Sequence, residues 1–229
     1  MNNYKLHNFE NSEALIDELC KRILVDLKSA IASKGMAYIA FSGGSTPKKL
    51  FTKLSCSEIE WKKVIITLVD ERWVEQNSDN SNEKLIRTFL LKDKAKEAKF
   101  ISLKNSSHSA KEGLNKCKVS LKEITKLDIV ILGMGNDAHT ASFFPDAKEL
   151  EEAYNTDEVC LASTATIEPK ERITLSKKFL LKADSIILHI EGKQKKKIFD
   201  NVLKSSDTFK MPILSMMQQK EPIMEVYYA

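Results

Sequence analysis

Asp128-Ile-Val-Ile-Leu-Gly-Met-Gly-Asn-Asp-Ala-His-Thr-Ala-Ser-Phe-Phe-Pro145 is the stretch on which the reading of this chain turns. Its β-branched apolar run, Ile129 to Leu132, predicts a short buried strand, and Gly133 and Gly135 predict that it ends abruptly. The loop that follows delivers Asp137 and His139, two positions apart. Ligands of open α/β sheets bind at the carboxyl ends of the strands, so reactive side chains belong in such a loop. Imidazole, with a reference pKa of about 6.5, can take a proton near neutral pH, and a nearby carboxylate can orient it. His139 is therefore the candidate base.

Working outward, strands and helices alternate. An edge strand over Tyr4 to Phe9 precedes a long amphipathic helix. Asn11 or Ser12 caps it, Leu15, Leu19, Ile23, Leu27 and Ile31 line one face, and Gly35 stops it. Strands are expected at Met36 to Phe41, Val64 to Val69, Phe100 to Leu103, near Val159, over Arg172 to Ser176, and at Ser185 to Ile190. Helices are expected toward Leu54, from a capping box at Asn80 and Glu83 to about Leu91, over Ser109 to Ile124, near Lys177 to Ala183, and over Lys193 to Leu203. This alternation predicts a layered, Rossmann-like α/β fold, one domain over 1–229 with a largely parallel central sheet flanked by helices.

Three further strand ends carry polar groups. Ser42-Gly43-Gly44-Ser45-Thr46-Pro47 offers free backbone N–H groups and hydroxyls at the start of a helix, which suits an anion. It lacks the G-x-x-x-x-G-K-[ST] spacing of a nucleotide loop, so a monophosphate is the better match. Asp70-Glu-Arg72-Trp73 is expected as a strand-end loop that projects Asp70 and Arg72 into the same cleft, and Lys195 opens a helix after Gly192. Gly133-Met-Gly135-Asn-Asp-Ala138 matches the dinucleotide fingerprint literally, but Pro145 forbids the continuous helix which that motif needs.

Other chemistries find no support. No G-x-S-x-G elbow occurs, and Asp137 and His139 have no third metal ligand at a recognisable spacing. His189 is expected as a core or edge residue, and His7 and His108 as partnerless. Cys20, Cys56, Cys117 and Cys160 are widely spaced and are expected as reduced thiols. The net charge of +4, spread over scattered lysines, argues against a nucleic-acid partner. With neither an apolar leader nor a long apolar run, no membrane partner is expected, and the expected compartment is the cytoplasm.

Taken in order, these blocks resemble the 6-phosphogluconolactonase family, in its form related to glucosamine-6-phosphate deaminases. The resemblance runs through Ser42 to Pro47, Asp70 to Val74, Asn80 to Leu90, Gly133 to Ser142 with Phe144-Pro145, Arg172 to Thr174, and Gly192 to Lys195. It implies hydrolysis of 6-phospho-D-glucono-1,5-lactone in the oxidative pentose phosphate pathway, without a nucleotide or organic cofactor. It implies that His139 is the general base and Asp137 its acidic neighbour. Ser42, Gly43, Gly44, Ser45, Thr46, Arg72 and Lys195 match phosphate-contacting positions, and Asp70 and Arg172 join them as substrate-binding candidates. The partner is then a small phosphosugar lactone, and the chain is expected as a monomer or a small homo-oligomer. The family carries Gly where this chain has Ala138, which disfavours positive φ. Related deaminases carry a glutamate five residues after the histidine, where this chain has Phe144. A phosphosugar deaminase or isomerase is the nearer alternative. A non-catalytic sugar-phosphate sensor would need a DNA-binding helix pair that the first 35 residues do not supply.

Overall fold

The expected layered α/β fold is the one the chain adopts. In the computed structural model, which describes residues 3–229, β1 (Tyr4–Asn8) leads into α1 (Ser12–Lys34). The Asn11 side chain accepts the Ala14 N–H to cap that helix, and Gly35 closes it at φ 83° with its N–H on the Ile31 carbonyl. Its apolar face, from Leu15 to Ile31, is buried in the core.

The chain continues through β2 (Ala37–Phe41), α2 (Lys48–Ser55), β3 (Val64–Leu68), β4 (Asp70–Arg72), α3 (Asn82–Phe89), β5 (Lys99–Phe100) and α4 (Ala110–Leu121). Then come β6 (Ile129–Leu132), α5 (Leu150–Asn155), β7 (Cys160–Thr164), β8 (Glu171–Leu175), α6 (Lys177–Leu181), β9 (Ser185–Ile190), α7 (Lys193–Lys204) and β10 (Met224–Tyr228).

Seven strands form a parallel sheet in the order β1-β10-β9-β6-β2-β3-β5. Chain order reverses between β2 and β6, the place where an open α/β sheet parts its loops and leaves a crevice. The loops after β2 and β6 are those the sequence marked for chemistry. A second, antiparallel sheet, β4-β8-β7, stands beside them. Val69 joins the two: its N–H goes to Phe41 of the large sheet, and its carbonyl accepts from Leu175 of the small one.

Several expectations change. Asp70 to Arg72 is a strand rather than a loop, because it pairs with Arg172 to Thr174. The cap of α3 is Ser81, not Asn80, since the Ser81 hydroxyl accepts the Lys84 N–H. Glu83 turns inward to Ser102 and Arg87 instead of completing a capping box. His7 does have a partner, Glu225, 2.8 Å from its Nε2. Cys117 and Cys160, distant in sequence, touch at 3.6 Å as buried free thiols. Among the described residues, no helix is long and apolar enough to cross a membrane.

Candidate active site

One cleft of about 230 Å³ opens at the sheet's reversal point. That is below the ~300–1,000 Å³ typical of sites for drug-sized ligands, so a compact ligand suits it. Ser42, Gly43, Gly44, Ser45, Thr46, Asp70, Arg72, His139 and Lys195 all line it. Asp137 stands behind His139 rather than on the wall, and Arg172 is buried outside the lining.

The reactive pair sits in a tightly folded loop. The Gly135 N–H donates to the His139 carbonyl at 2.8 Å, and the Thr140 hydroxyl donates to the Gly133 carbonyl at 2.8 Å. Ala138, 0% exposed, takes φ 63°, the left-handed conformation for which the family's glycine is suited. His139 Nδ1 lies 2.5 Å from Asp137 Oδ1. Asp137 therefore orients the ring, and with Nδ1–H donated to the carboxylate, Nε2 keeps a lone pair for a proton. Burial pushes the Asp137 carboxyl up, but the hydrogen bond and charge of His139 outweigh it and hold the group below the usual carboxylate range. Phe144 packs on the imidazole with ring centroids 4.5 Å apart. It brings no acid–base group.

The loop after β2 brings donors to the same cleft. Among the described residues, no backbone N–H from Gly43 to Thr46 is tied to a backbone acceptor, and the Ser42 hydroxyl finds no partner. Gly44 has φ 98°. A β-carbon on Gly43 would meet Asn82 Oδ1 at 1.9 Å, so glycine there makes room for a side chain that itself reaches the cleft. Asn82 was not singled out in the sequence, because its place depends on a bond from its amide to the Asp70 carbonyl.

Arg72 is steered by donating Nη1–H to the Asn80 carbonyl at 2.7 Å. Lys195 reaches across from α7 to the Met134 carbonyl at 2.7 Å and Asn136 Oδ1 at 2.8 Å, which ties the helix to the loop that bears Asp137 and His139. Burial lowers its pKa, while Asp137 pulls it up.

Arg172 pairs directly across from Arg72 in the small sheet. It is 3% exposed, and among the described residues its Nε and Nη1 have no partner. Burial brings its pKa down to about 10, against the pull of Asp70. Such an unmatched buried cation calls for an anion nearby. His189, expected as a core residue, is buried but also borders the cleft, with Nε2 on Glu191 at 2.9 Å. No three His, Cys, Asp or Glu side chains converge as a metal site among the described residues.

The chain as a whole matches a known group of proteins. Residues 10–224 fit the family described as glucosamine-6-phosphate isomerases/6-phosphogluconolactonase. A 6-phosphogluconolactonase of Rhizobium meliloti is 39% identical, with 98% of each chain covered. One from Helicobacter pylori is 33% identical over 99% of this chain and 98% of its own. The crystal structure of a 6-phosphogluconolactonase from Shewanella baltica superposes with a TM-score of 0.96 at 42% identity, covering 98% of this chain and 97% of that one. With the match extending over nearly its whole length, this chain belongs to the glucosamine-6-phosphate isomerase/6-phosphogluconolactonase family.

Proposed function

We propose that this chain is a 6-phosphogluconolactonase: it hydrolyses 6-phospho-D-glucono-1,5-lactone to 6-phospho-D-gluconate, a step of the oxidative pentose phosphate pathway. The names of its relatives support this reading. The observation that carries the chemistry is the His139–Asp137 pair, 2.5 Å apart, with His139 lining the same cleft as the Ser42 to Thr46 loop, Arg72 and Lys195.

A δ-lactone is an activated ester, so a positioned water and one base suffice. His139 Nε2 takes a proton from water as its oxygen bonds to C1. Backbone N–H groups of the cleft hold the oxyanion that forms. When the C1–ring oxygen bond breaks, the imidazolium returns its proton to the departing oxygen. Asp137 keeps the ring in the tautomer this needs. Ser42, Gly43, Gly44, Ser45, Thr46, Arg72 and Lys195 take the phosphate, with Arg172 adding positive charge from behind, so that remote binding energy orients C1 toward the base.

Phe144 favours this reading over deamination. Opening a sugar ring and expelling an amine needs more acid–base groups than hydrating a lactone, and Phe144 supplies none. The test is a lactonase assay corrected for spontaneous hydrolysis, on the chain and on His139→Ala. Hydrolysis of the phosphorylated lactone, a kcat loss of roughly 10²–10⁴ in the variant, and no ammonia from glucosamine 6-phosphate are expected. Robust deamination, or near-normal kcat in folded His139→Ala, would overturn it.

A further inference from the structure

Ser142 lies three residues beyond His139 and is 1% exposed, outside the cleft lining. All three of its polar groups are bonded, each by a different strand of the small sheet. Its hydroxyl donates to Asp70 Oδ2 of β4 at 2.6 Å. Its N–H donates to Thr174 Oγ1 of β8 at 3.3 Å. Its carbonyl accepts the Ser163 hydroxyl of β7 at 3.0 Å. Asp70, Thr174 and Arg172 lie on the same face of that sheet as Arg72, since partners in register and alternate residues share a face.

The loop needs such an anchor. Ala141, immediately before Ser142, is at φ 51°, and Phe143 turns back to donate its N–H to the Thr140 carbonyl at 2.9 Å. A non-glycine residue holds a left-handed conformation only when its surroundings over-determine it. The bonds to Ser142 hold the segment from one side, while Lys195 holds Met134 and Asn136 from the other. Between them lies His139.

Asp70 fits this role better than that of a phosphate ligand. A carboxylate repels a phosphate, and one oxygen of Asp70 is already engaged by the shortest of the three Ser142 bonds. We propose that Ser142, bonded to Asp70, Thr174 and Ser163, is a positioning residue that sets His139 against the lactone carbon, and that Asp70 acts on turnover through Ser142. The small sheet thereby fixes the distance between the phosphate grip at Arg72 and the base. This proposal rests on His139 being the general base.

The test measures kcat and KM of Ser142→Ala, Ser142→Thr and Ser142→Ala/Asp70→Asn on the phosphorylated lactone, and kcat/KM on unphosphorylated gluconolactone. Melting curves establish that each variant is folded. Displacing a catalytic group by about 1 Å can cost roughly 10²-fold, so Ser142→Ala should lose about 10- to 100-fold in kcat. KM for the phosphorylated lactone should stay within about twofold, because the phosphate contacts remain. Gluconolactone hydrolysis should fall by a similar factor. Ser142→Thr, which keeps the hydroxyl, should recover most of kcat, and adding Asp70→Asn to Ser142→Ala should cost little more.

Thr174→Val keeps shape and removes one acceptor, and it should lower kcat in the same direction should Ser142→Ala not fold. Normal kcat in the folded Ser142 or Thr174 variant would overturn the proposal. So would a loss confined to KM, or additive kcat losses in the double variant. If His139→Ala loses turnover while Ser142→Ala does not, the positioning role alone fails. If His139→Ala keeps turnover, the base assignment fails first.

Discussion

A β-carbon on Gly135 would stand 2.1 Å from Nδ1 of His139 and 2.5 Å from Oδ1 of Asp137. Gly135 does not have positive φ, so what excludes a side chain here is space rather than backbone conformation. A methyl group would part the carboxylate from the ring or rotate the imidazole. Gly135→Ala should therefore lower kcat by roughly 10- to 100-fold, with a far-ultraviolet spectrum like that of the parent. Wild-type turnover in this variant would mean that the pair tolerates displacement.

Arg72 and Lys195 should separate when substrates with and without phosphate are compared. Each charge-assisted bond to phosphate is worth about 1.5–3 kcal/mol, or roughly 10- to 150-fold. Arg72→Ala should act mainly on KM. Lys195→Ala should also lower kcat, because it releases Met134 and Asn136 beside the catalytic pair. In both variants the preference for the phosphorylated lactone, read as a ratio of kcat/KM values, should shrink. An unchanged ratio would remove them from the phosphate site.

Ala138 at φ 63° invites a stabilising change. Left-handed backbone costs an alanine about 1–2 kcal/mol, while deleting its buried methyl gives back about 0.8 kcal/mol. Ala138→Gly should raise stability by roughly 0.2–1.2 kcal/mol, a melting temperature a few degrees higher at most. A fall in the melting temperature would show that the loop relies on the methyl contact more than it suffers from the strain.

Glu71 should make stability depend on pH in the direction opposite to an ordinary carboxylate. Burial pushes its carboxyl from about 4.5 to about 7, against the pull of N–H groups from Asn82, Glu83 and Arg72. Between those values the folded chain keeps a proton that the unfolded chain has lost. Its contribution is thus greatest at acid pH and fades as pH rises through about 7, by roughly 3 kcal/mol in all. Urea unfolding at pH 5 and pH 8 should reveal this slope in the parent and a flatter one in Glu71→Gln. Identical slopes would mean that Glu71 stays ionised throughout.

What the sequence revealed depended on how far each interaction reaches along the chain. α1 was readable because its periodicity, its Asn11 cap and its Gly35 stop all lie within one segment. β6 and its loop were readable for the same reason: four apolar residues, two glycines and a reactive pair stand in one run. In the small sheet, β7 and β8 were readable but β4 was not. β4 is three charged residues, Asp70 to Arg72, and becomes a strand only because Arg172 to Thr174 lies alongside, about 100 positions later.

Capping failed where a stronger local acceptor intervened, as Ser81 did for Asn80. Glu71, which accepts the Asn82 and Glu83 N–H groups, is a cap no spacing rule would find. β10 was missed because Met224 to Tyr228 carries Glu225 as its second residue, and that carboxylate is accounted for only by His7 and Arg22, far upstream. For the cleft, strand-end loops announced most of the lining. Asn82 and His189 escaped because their side chains enter from a helix start and a buried strand.

In the large sheet, β1 has a single neighbour, β10, with Tyr4 opposite Met224. As the chain emerges from the ribosome, β1 therefore lacks this partner until Met224 to Tyr228 have been made, about 220 positions later. The Gly192 N–H, just ahead of the helix that bears Lys195, donates to the Ala229 carbonyl at 2.7 Å, immediately after that same late strand. Sheet edge and lysine loop thus reach their final form together. A half-made chain leaves both open, and closing a loop this long is among the slower events available to a folding polypeptide. Until β10 is in place, the edge of β9 that pairs with it stays open for another strand to join.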